Sequence, residues 1–249
     1  MKNILKSVKY IFLGLISGPS FMDVIKYIKD LNKFKKQGGS IDILRPFFSD
    51  HKKSNGFEDP QYFYQDHIAA KEIVNGGFDN ILDVGSRIDG FVSSVAIFQK
   101  INVIDIRPAK INIKNIEFIQ SDLFNTNLEL EQWDCVSCLH TIEHVGLGRY
   151  GDPINPYSRE EFIKRLFGFV KPGGMLFIST PVSSKTRIEF NAHVVVSPYS
   201  MVSSILQNNG KIEKIWVIDD NAKIHENINI TEIMPLKYGL IIIKCMKNT

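Results

Sequence analysis

Cysteine is scarce in this chain, with three among 249 residues: Cys135, Cys138 and Cys245. A small, odd number of cysteines excludes a disulfide framework and favours a reducing, cytoplasmic setting. Cys135 and Cys138 have the C-x-x-C spacing, but they lie in an apolar run with strand character, where residues three apart point to opposite faces. We therefore expect buried thiols rather than a redox pair or a zinc site.

Long hydrophobic runs are also lacking. The apolar stretch Tyr10–Gly18 is too short to span a bilayer, and no clear cleavage site comes after it. Positive charge is concentrated around it, since residues 1–36 hold eight Lys and two Asp, a net charge of +6, whereas the whole chain carries +3. We expect an amphipathic helix that packs on the main domain, with peripheral contact to an anionic membrane surface through residues 1–36 as the alternative.

Turn-forming residues collect in only one region, residues 37–60, which we interpret as a connector. Residues 61–75 have helical spacing and end at Gly76-Gly77, a typical helix stop. The chain is therefore expected to comprise an N-terminal helical extension with its connector, residues 1–60, and one domain, residues 61–249.

From residue 80, short β-branched runs alternate with helical stretches. This alternation predicts a Rossmann-like α/β fold, with a seven-stranded, mostly parallel sheet and helices on both faces. One helix is expected over Ser158–Val170, with Ser158 as its N-cap. Ligands of such sheets bind beyond the carboxyl ends of the strands. The predicted strands are Ile81–Val84, Ile101–Ile106, Ile116–Ile119, Cys135–Leu139, Met175–Ser179, Ile212–Ile218 and Leu240–Met246.

The first three predicted strands end in residues suited to a nucleotide-like cofactor. The first leads into Gly85 and, five residues on, Gly90, a strand–glycine–helix pattern that lacks the full dinucleotide-binding fingerprint. Asp105 ends the second strand, where a carboxylate can accept both ribose hydroxyls. Asp122 ends the third, placed to accept from an adenine amino group.

These pieces resemble the class I S-adenosylmethionine (SAM) dependent methyltransferases: ILDVGS with Gly90, VIDI, IQSD, WDCVSCLHTIEH and KPGGMLFIST, in that order. More narrowly, YFYQDHIAAK, DVGSRIDGFV, EHVGLGRYGDPI and EFNAHVVVSP are similar to a poorly characterised methyltransferase-like family, over about residues 60–200. Arg87 stands where a glycine is usual. The resemblance implies SAM as cofactor, while bracing of the loop is the alternative for Asp83. The implied cofactor-binding residues are Asp83, Gly85, Ser86, Gly90, Asp105, Asp122 and Leu139.

His140, Glu143 and His144 form an H-x-x-E-H pattern, the spacing of inverted zinc proteases. A protease requires this pattern on a helix. Here it comes directly after a buried strand, which predicts a position at the edge of the cofactor crevice instead. The three residues are candidate ligands for a divalent ion, Mg, Mn or Fe, that holds a hydroxyl. Bracing of the loop by Glu143 and His144 is the alternative.

The residues after the fourth strand predict the class of acceptor. The D/N-P-P-Y type sequence of amino-methylating enzymes is missing, and no aromatic and basic platform for nucleic acid lies outside the N-terminus. We predict an O-methyltransferase for a small sugar-type acceptor, such as a nucleotide-linked sugar for surface polysaccharide. His193 is the preferred general base, with His140 and Asp152 as further catalytic candidates. A non-catalytic SAM-binding or scaffold protein and an H-x-x-E-H metalloprotease are the alternatives, and the sequence does not indicate an oligomeric state.

Overall fold

The computed structural model describes residues 2–48, 50–52, 59–233 and 235–249. The chain divides into two compact units, Met1–Glu58 and Asp59–Thr249. This division lies near the predicted boundary at residue 60; residues 49 and 53–58 of the predicted connector are outside the described residues. No helix in the part of the chain that the structure describes has the length and apolar character that a membrane crossing requires.

The first unit contains two helices, α1 (Lys2–Ile16) and α2 (Phe21–Lys36). The start of α2 is fixed by a capping box, in which the Ser20 hydroxyl accepts from the Asp23 amide and the Asp23 carboxylate accepts from the Ser20 amide. The sequence thus forms two helices where we expected one amphipathic helix.

The second unit opens with α3 (Pro60–Gly76). The Asp59 carboxylate accepts a hydrogen bond from the Tyr62 amide at 3.3 Å, and Pro60 occupies the first helical position, where no amide donor is needed. Gly77 ends the helix with φ of 63°, a left-handed conformation that glycine adopts without strain. The predicted glycine stop is confirmed.

The remaining elements alternate as predicted, but the main sheet has eight strands within the described residues rather than seven. Its order is β3-β2-β1-β4-β5-β10-β8-β9; β1 to β5 run parallel, and β10 is antiparallel to both of its neighbours. Its additional strand is β9, three residues at the sheet edge, and the strands β6 and β7 outside this sheet were not predicted either. A separate hairpin pairs β6 with β7. The strands are β1 Ile81–Val84, β2 Ile101–Asp105, β3 Ile116–Gln120, β4 Trp133–Leu139, β5 Val170–Val182, β6 Arg187–Glu189, β7 His193–Val195, β8 Gly210–Ile218, β9 Ile224–Glu226 and β10 Gly239–Lys247.

Helices between the strands are a π-helical turn (Ile88–Val92) that leads into α4 (Ser93–Ala96), then α5 (Ser158–Phe169) and α6 (Pro198–Gln207). The prediction of Ser158 as N-cap is wrong. Its amide already donates to the Asn155 carbonyl at 3.2 Å, so Ser158 lies inside the helix, and Tyr157 precedes it without a side-chain cap.

The sheet is covered on both faces. Leu82 belongs to the core that α5 and α6 complete, and its neighbour Ile81 belongs to the core formed with α3 and α4. Cys138 and Cys135 divide in the same way, and both side chains are fully buried. Burial raises the pKa of both thiols well above its usual range. The predicted pair of buried thiols on opposite faces is confirmed.

Candidate functional site

A cavity of about 1000 Å³ lies at the carboxyl ends of the parallel strands β1, β2, β3 and β4. This is the edge of the sheet at which we expected the chemistry. The predicted site residues in its wall are Gly85, Asp105, Asp122, Leu139, His140, His144 and Asp152. Five other predicted site residues lie outside the wall as the structure describes it: Asp83, Ser86, Gly90, Glu143 and His193.

The loop after β1 is held by Asp83, whose carboxylate is fully buried. It accepts hydrogen bonds from the Ser86 amide at 3.1 Å, the Ser86 hydroxyl at 2.7 Å and the Ser137 hydroxyl at 2.7 Å. Burial raises its pKa to about 6, and the hydroxyl donors act in the opposite direction. Gly85 has φ of 74°, and a Cβ there would lie 2.6 Å from the Thr141 methyl. Asp83 therefore braces a loop that only glycine fits at position 85.

The next turn places Arg87 at the cavity wall. Its guanidinium donates to the Asp89 carboxylate from Nε at 3.1 Å and Nη2 at 2.8 Å, and lies 5.4 Å from the centre of the Tyr62 ring. Gly90 instead faces α3, because a Cβ there would collide with the Asp66 carboxylate. The missing side chain leaves room for the close approach of α3, and a cofactor-binding role for Gly90 stays a prediction.

Asp105 ends β2 with its side chain 10% exposed. The Arg107 guanidinium donates two hydrogen bonds to its carboxylate, with Nε 3.0 Å from Oδ1 and Nη2 2.5 Å from Oδ2. Arg107 also lies 4.6 Å from the centre of the Tyr150 ring, and this stacking links the β2 end to the glycine-rich loop. The predicted ribose acceptor is thus positioned in the wall by a salt bridge.

Asp122 comes after β3 and also lines the cavity. Its carboxylate accepts from the Phe124 amide at 3.0 Å and from the Asn125 side-chain amide at 3.0 Å. These local bonds hold the turn and leave further lone pairs on both oxygens, because each carboxylate oxygen has two.

His140 comes directly after β4 and has φ of 52°, which is uncommon for a residue other than glycine. Its ring stacks on Tyr62, with centroids 4.3 Å apart and planes 21° apart. Nδ1 lies 2.8 Å from Glu143 Oε1, and since a carboxylate only accepts, Nδ1 carries the proton. The other nitrogen, Nε2, is buried without a hydrogen-bond partner among the described residues.

Glu143 lies behind the two histidines and is 1% exposed. Its Oε2 is buried and lacks a hydrogen-bond partner in the described part of the chain. His144 Nδ1 lies 2.7 Å from the Ala192 carbonyl, which fixes the proton on that nitrogen. Burial lowers the pKa of His144, although the nearby Glu143 acts in the opposite direction.

The predicted metal site is not formed by this arrangement. Glu143 Oε1 is 2.8 Å from His140 Nδ1, and His144 turns its Nδ1 to the backbone. Within the described residues, no group of three or more His, Cys, Asp or Glu side chains could hold a metal ion.

Asp152 shapes the glycine-rich loop. Its Oδ2 accepts from the amides of Gly146 at 2.8 Å and Gly148 at 3.2 Å, and its Oδ1 accepts from the Tyr150 amide at 3.2 Å. Both oxygens therefore face the loop's own backbone. A catalytic role for Asp152 stays a prediction.

His193 lies on β7, where its Nε2 is 3.0 Å from Glu189 Oε2. Its ring centre is 6.4 Å from that of His144. The structure therefore places our preferred base beside His144 and outside the cavity wall. Its role as a base also stays a prediction.

Tyr62, Arg107 and Tyr150 line the cavity, and we did not predict them from the sequence. Tyr62 belongs to α3, which precedes the first strand, so nothing in its local sequence links it to the strand ends. Arg107 did carry a signal, because an arginine two residues after an acidic strand end can fold back on that carboxylate.

A family described as "Caenorhabditis protein of unknown function, DUF268" matches residues 77–207. The chain belongs to this family. The matched residues run from the end of α3 to the end of α6 and include the candidate site from Asp83 to His193. The matching description assigns no function, and no curated protein matches the chain.

Solved structures of low sequence identity share the fold. Burkholderia thailandensis 1,6-didemethyltoxoflavin-N1-methyltransferase, with bound 1,6-didemethyltoxoflavin and S-adenosylhomocysteine, is 11% identical with a TM-score of 0.54, covering 81% of this chain and 84% of that chain. The N-methyltransferase NodS from Bradyrhizobium japonicum WM9, in complex with S-adenosylhomocysteine, is 12% identical with a TM-score of 0.53, covering 78% and 91%. The [4+2]-cyclase SpnF is 12% identical with a TM-score of 0.52, covering 74% and 81%.

Likeness at this level of identity shows the fold. The predicted Rossmann-like fold is confirmed, and the two methyltransferase structures share it. A cyclase among the similar structures illustrates that one fold serves more than one reaction, so the reaction must be argued from the site.

Proposed function

We propose that this protein is a SAM-dependent O-methyltransferase that acts on a hydroxyl of a small acceptor, with His140 as the general base. The observation that carries the proposal is the contact between His140, which lines the cavity, and Glu143, which is buried outside its wall. The Glu143 carboxylate accepts a hydrogen bond from one imidazole nitrogen, and the other nitrogen has no hydrogen-bond partner among the described residues.

The cavity wall fits the cofactor. Its volume of about 1000 Å³ is at the upper end of the range for small-molecule sites, which suits a cofactor together with a small acceptor. In this proposal Asp105 accepts from the ribose hydroxyls, Asp122 accepts from the adenine amine, and the methionine part approaches the backbone at Gly85. When bound, SAM supplies an electrophilic methyl group on a sulfonium.

An acceptor hydroxyl must lose its proton as its oxygen attacks the methyl group. We assign the uptake of that proton to His140 Nε2, because no described residue uses its lone pair. Glu143 fixes the tautomer through Nδ1 and favours the imidazolium that results, in the manner of the carboxylate in other His–carboxylate pairs. Glu143 is therefore a positioning residue, and His140 is the catalytic residue.

We extend the proposal to a sugar-type acceptor, with nucleotide-linked sugars as the first class to test. Arg87 and Arg107 stand at the cavity wall with side chains 59% and 44% exposed. Guanidinium groups so placed suit the oxygens of a diphosphate. A metal ion is not part of the proposal, because no group of three or more His, Cys, Asp or Glu side chains among the described residues could hold one.

The test is incubation of the full chain with SAM and a panel of nucleotide sugars, catechols and primary amines, with mass spectrometry for the gain of one methyl group. We expect an O-methylated product, and His140→Gln is expected to lower its turnover by about 10²–10⁴-fold, the usual contribution of a general base. The affinity for S-adenosylhomocysteine should not change. His193→Gln is the matched control, a histidine outside the cavity wall.

Three outcomes would contradict the proposal. Binding of S-adenosylhomocysteine without methylation of any acceptor favours the non-catalytic binding protein. Methylation of amines alone, at a rate that His140→Gln does not change, would contradict both the hydroxyl acceptor and the role of His140 as base. If EDTA abolishes turnover and Mn²⁺ or Mg²⁺ restores it, the reaction depends on a divalent metal ion, as the sequence predicted.

A further inference from the structure

The outer face of α1 is apolar and exposed. Ile4, Val8 and Phe12 succeed one another at intervals of one turn and are 68%, 59% and 64% exposed. Leu5, Leu15 and Ile16 are at least half exposed as well, and at 100° per residue all six fall within an arc of about 120°. We call these six residues the α1 arc.

The other side of α1 already has a partner within the first unit. The Ser7 hydroxyl accepts from the Leu44 amide at 2.9 Å, and the Arg45 guanidinium lies 4.7 Å from the centre of the Tyr10 ring. A Cβ on Gly14 would lie 3.1 Å from both Pro46 and Phe48. One side of α1 therefore packs within the first unit, and the α1 arc lies on the exposed side.

Positive charge borders the arc. Lys9 lies next to it on the helical wheel and Lys6 lies between Lys9 and the packed face, and both residues are exposed. Phe21 and Met22, at the start of α2, are close to Ile16 in sequence and are also exposed, by 78% and 69%. Residues 1–36 together carry a net charge of +6.

We propose that the α1 arc inserts into the headgroup region of an anionic lipid bilayer, with α1 lying in the plane of the surface. A 15-residue helix is shorter than the roughly 20 residues that a span needs, and a wide apolar arc bordered by lysines is typical of interfacial helices. In a dimer through this surface, two segments that each carry a net charge of +6 would repel each other. An anionic bilayer supplies both an apolar layer and the opposite charge. The proposal is independent of the proposed enzymatic function.

The test is co-sedimentation of the full chain with phosphatidylcholine vesicles, with and without about 30% phosphatidylserine, a typical source of negative surface potential. We expect binding to the anionic vesicles, weakened by high salt. Changing Ile4, Val8 and Phe12 together to Ser should reduce the partition coefficient on the order of a hundredfold, because three apolar side chains lose their burial. Lys6→Gln with Lys9→Gln should reduce it about tenfold or more.

Matched controls come from the second unit. Ile97 and Phe98 are exposed to a similar degree, and Ser in their place should leave vesicle binding unchanged, as should Lys110→Gln with Lys114→Gln. In a separate Phe12→Trp variant, brominated lipid should quench the added fluorescence. Equal sedimentation with and without vesicles would overturn the proposal. So would a dimer in light scattering that the triple Ser variant abolishes while vesicle binding persists, because the arc would then serve a second copy.

Discussion

The two sides of the cavity differ in how their polar groups are satisfied. On the side of β1 to β3, each acidic residue has partners in its own loop: Asp83 with Ser86, Asp105 with Arg107, and Asp122 with Asn125. On the side of β4, His140 Nε2 and Glu143 Oε2 are buried and have no hydrogen-bond partner among the described residues.

Leaving a buried polar atom without a hydrogen bond costs about 1–3 kcal/mol of stability. Such atoms are rare in folded proteins, and their presence calls for an explanation. Groups that already have partners give a wall whose shape is fixed before a ligand arrives, which suits binding. Of the two residues with an unpaired atom, His140 lines the cavity, and we propose that it exchanges a proton with a ligand. We therefore expect the cofactor side to control affinity and the β4 side to control the rate of the chemical step.

Among the variants that test this difference, we expect Glu143→Gln to have the largest effect on activity. We expect kcat to fall about a hundredfold or more, because the amide cannot support the imidazolium as the carboxylate does. KM and the affinity for S-adenosylhomocysteine should stay within about threefold, since Glu143 lies outside the cavity wall. Steady-state kinetics and calorimetric titration would measure both.

Glu189→Gln is the matched control for this variant. Glu189 also pairs with a histidine, His193, at 3.0 Å, but neither residue belongs to the described cavity wall. An equal loss of kcat in both variants would show that the cavity is not what distinguishes the His140–Glu143 pair.

Much of the fold can be predicted from local sequence pattern. The run Ile81–Val84 is β1 with the same bounds, and Leu240–Met246 lies inside β10, because fully buried strands are continuous apolar runs. The edge strand Ile224–Glu226 escaped prediction because it is short, and two of its three residues are exposed. The alternation that marks a strand cannot be recognised in so few residues.

The site was less accessible to sequence reasoning. Asp105 and His140 could be predicted because each lies at the end of a strand that faces the cavity. Tyr62 could not, because α3 reaches the site through tertiary packing. The spacing of His140, Glu143 and His144 also left open which groups meet. Their side chains form a hydrogen-bonded pair and a backbone contact, and neither is visible in the order of residues.

The buried carboxyl of Asp83 predicts how stability depends on pH. Its folded pKa of about 6 is above its ordinary value of 3.8 because of burial, so the folded state favours the protonated form. This contribution is fully present below about pH 4 and is lost as pH rises to about 6. The total is on the order of 3 kcal/mol. We expect the stability of the natural chain relative to Asp83→Asn to fall by that amount across the window.

Urea unfolding monitored by tryptophan fluorescence would measure this, because Trp133 and Trp216 both lie in the second unit. The variant Ser137→Ala provides a second test of the same pH dependence. Its hydroxyl hydrogen bond favours the ionised form of Asp83, so its removal should move the window to higher pH. A stability difference that does not change between pH 4 and pH 7 would contradict the buried, braced position of Asp83 behind the cofactor loop.

The smallest expected effect is that of Asp105→Asn on the cofactor side. The amide cannot accept both arms of the Arg107 guanidinium or both ribose hydroxyls, so affinity for S-adenosylhomocysteine should fall about tenfold to a hundredfold. Saturating turnover should stay within about threefold, because the variant leaves the His140–Glu143 pair intact. Asp89→Asn breaks a similar pair with Arg87, but Asp89 is 71% exposed and should change affinity little. If Asp105→Asn lowers kcat and leaves affinity unchanged, the two sides of the cavity do not divide binding from chemistry, because a group with a full set of partners would then control the rate.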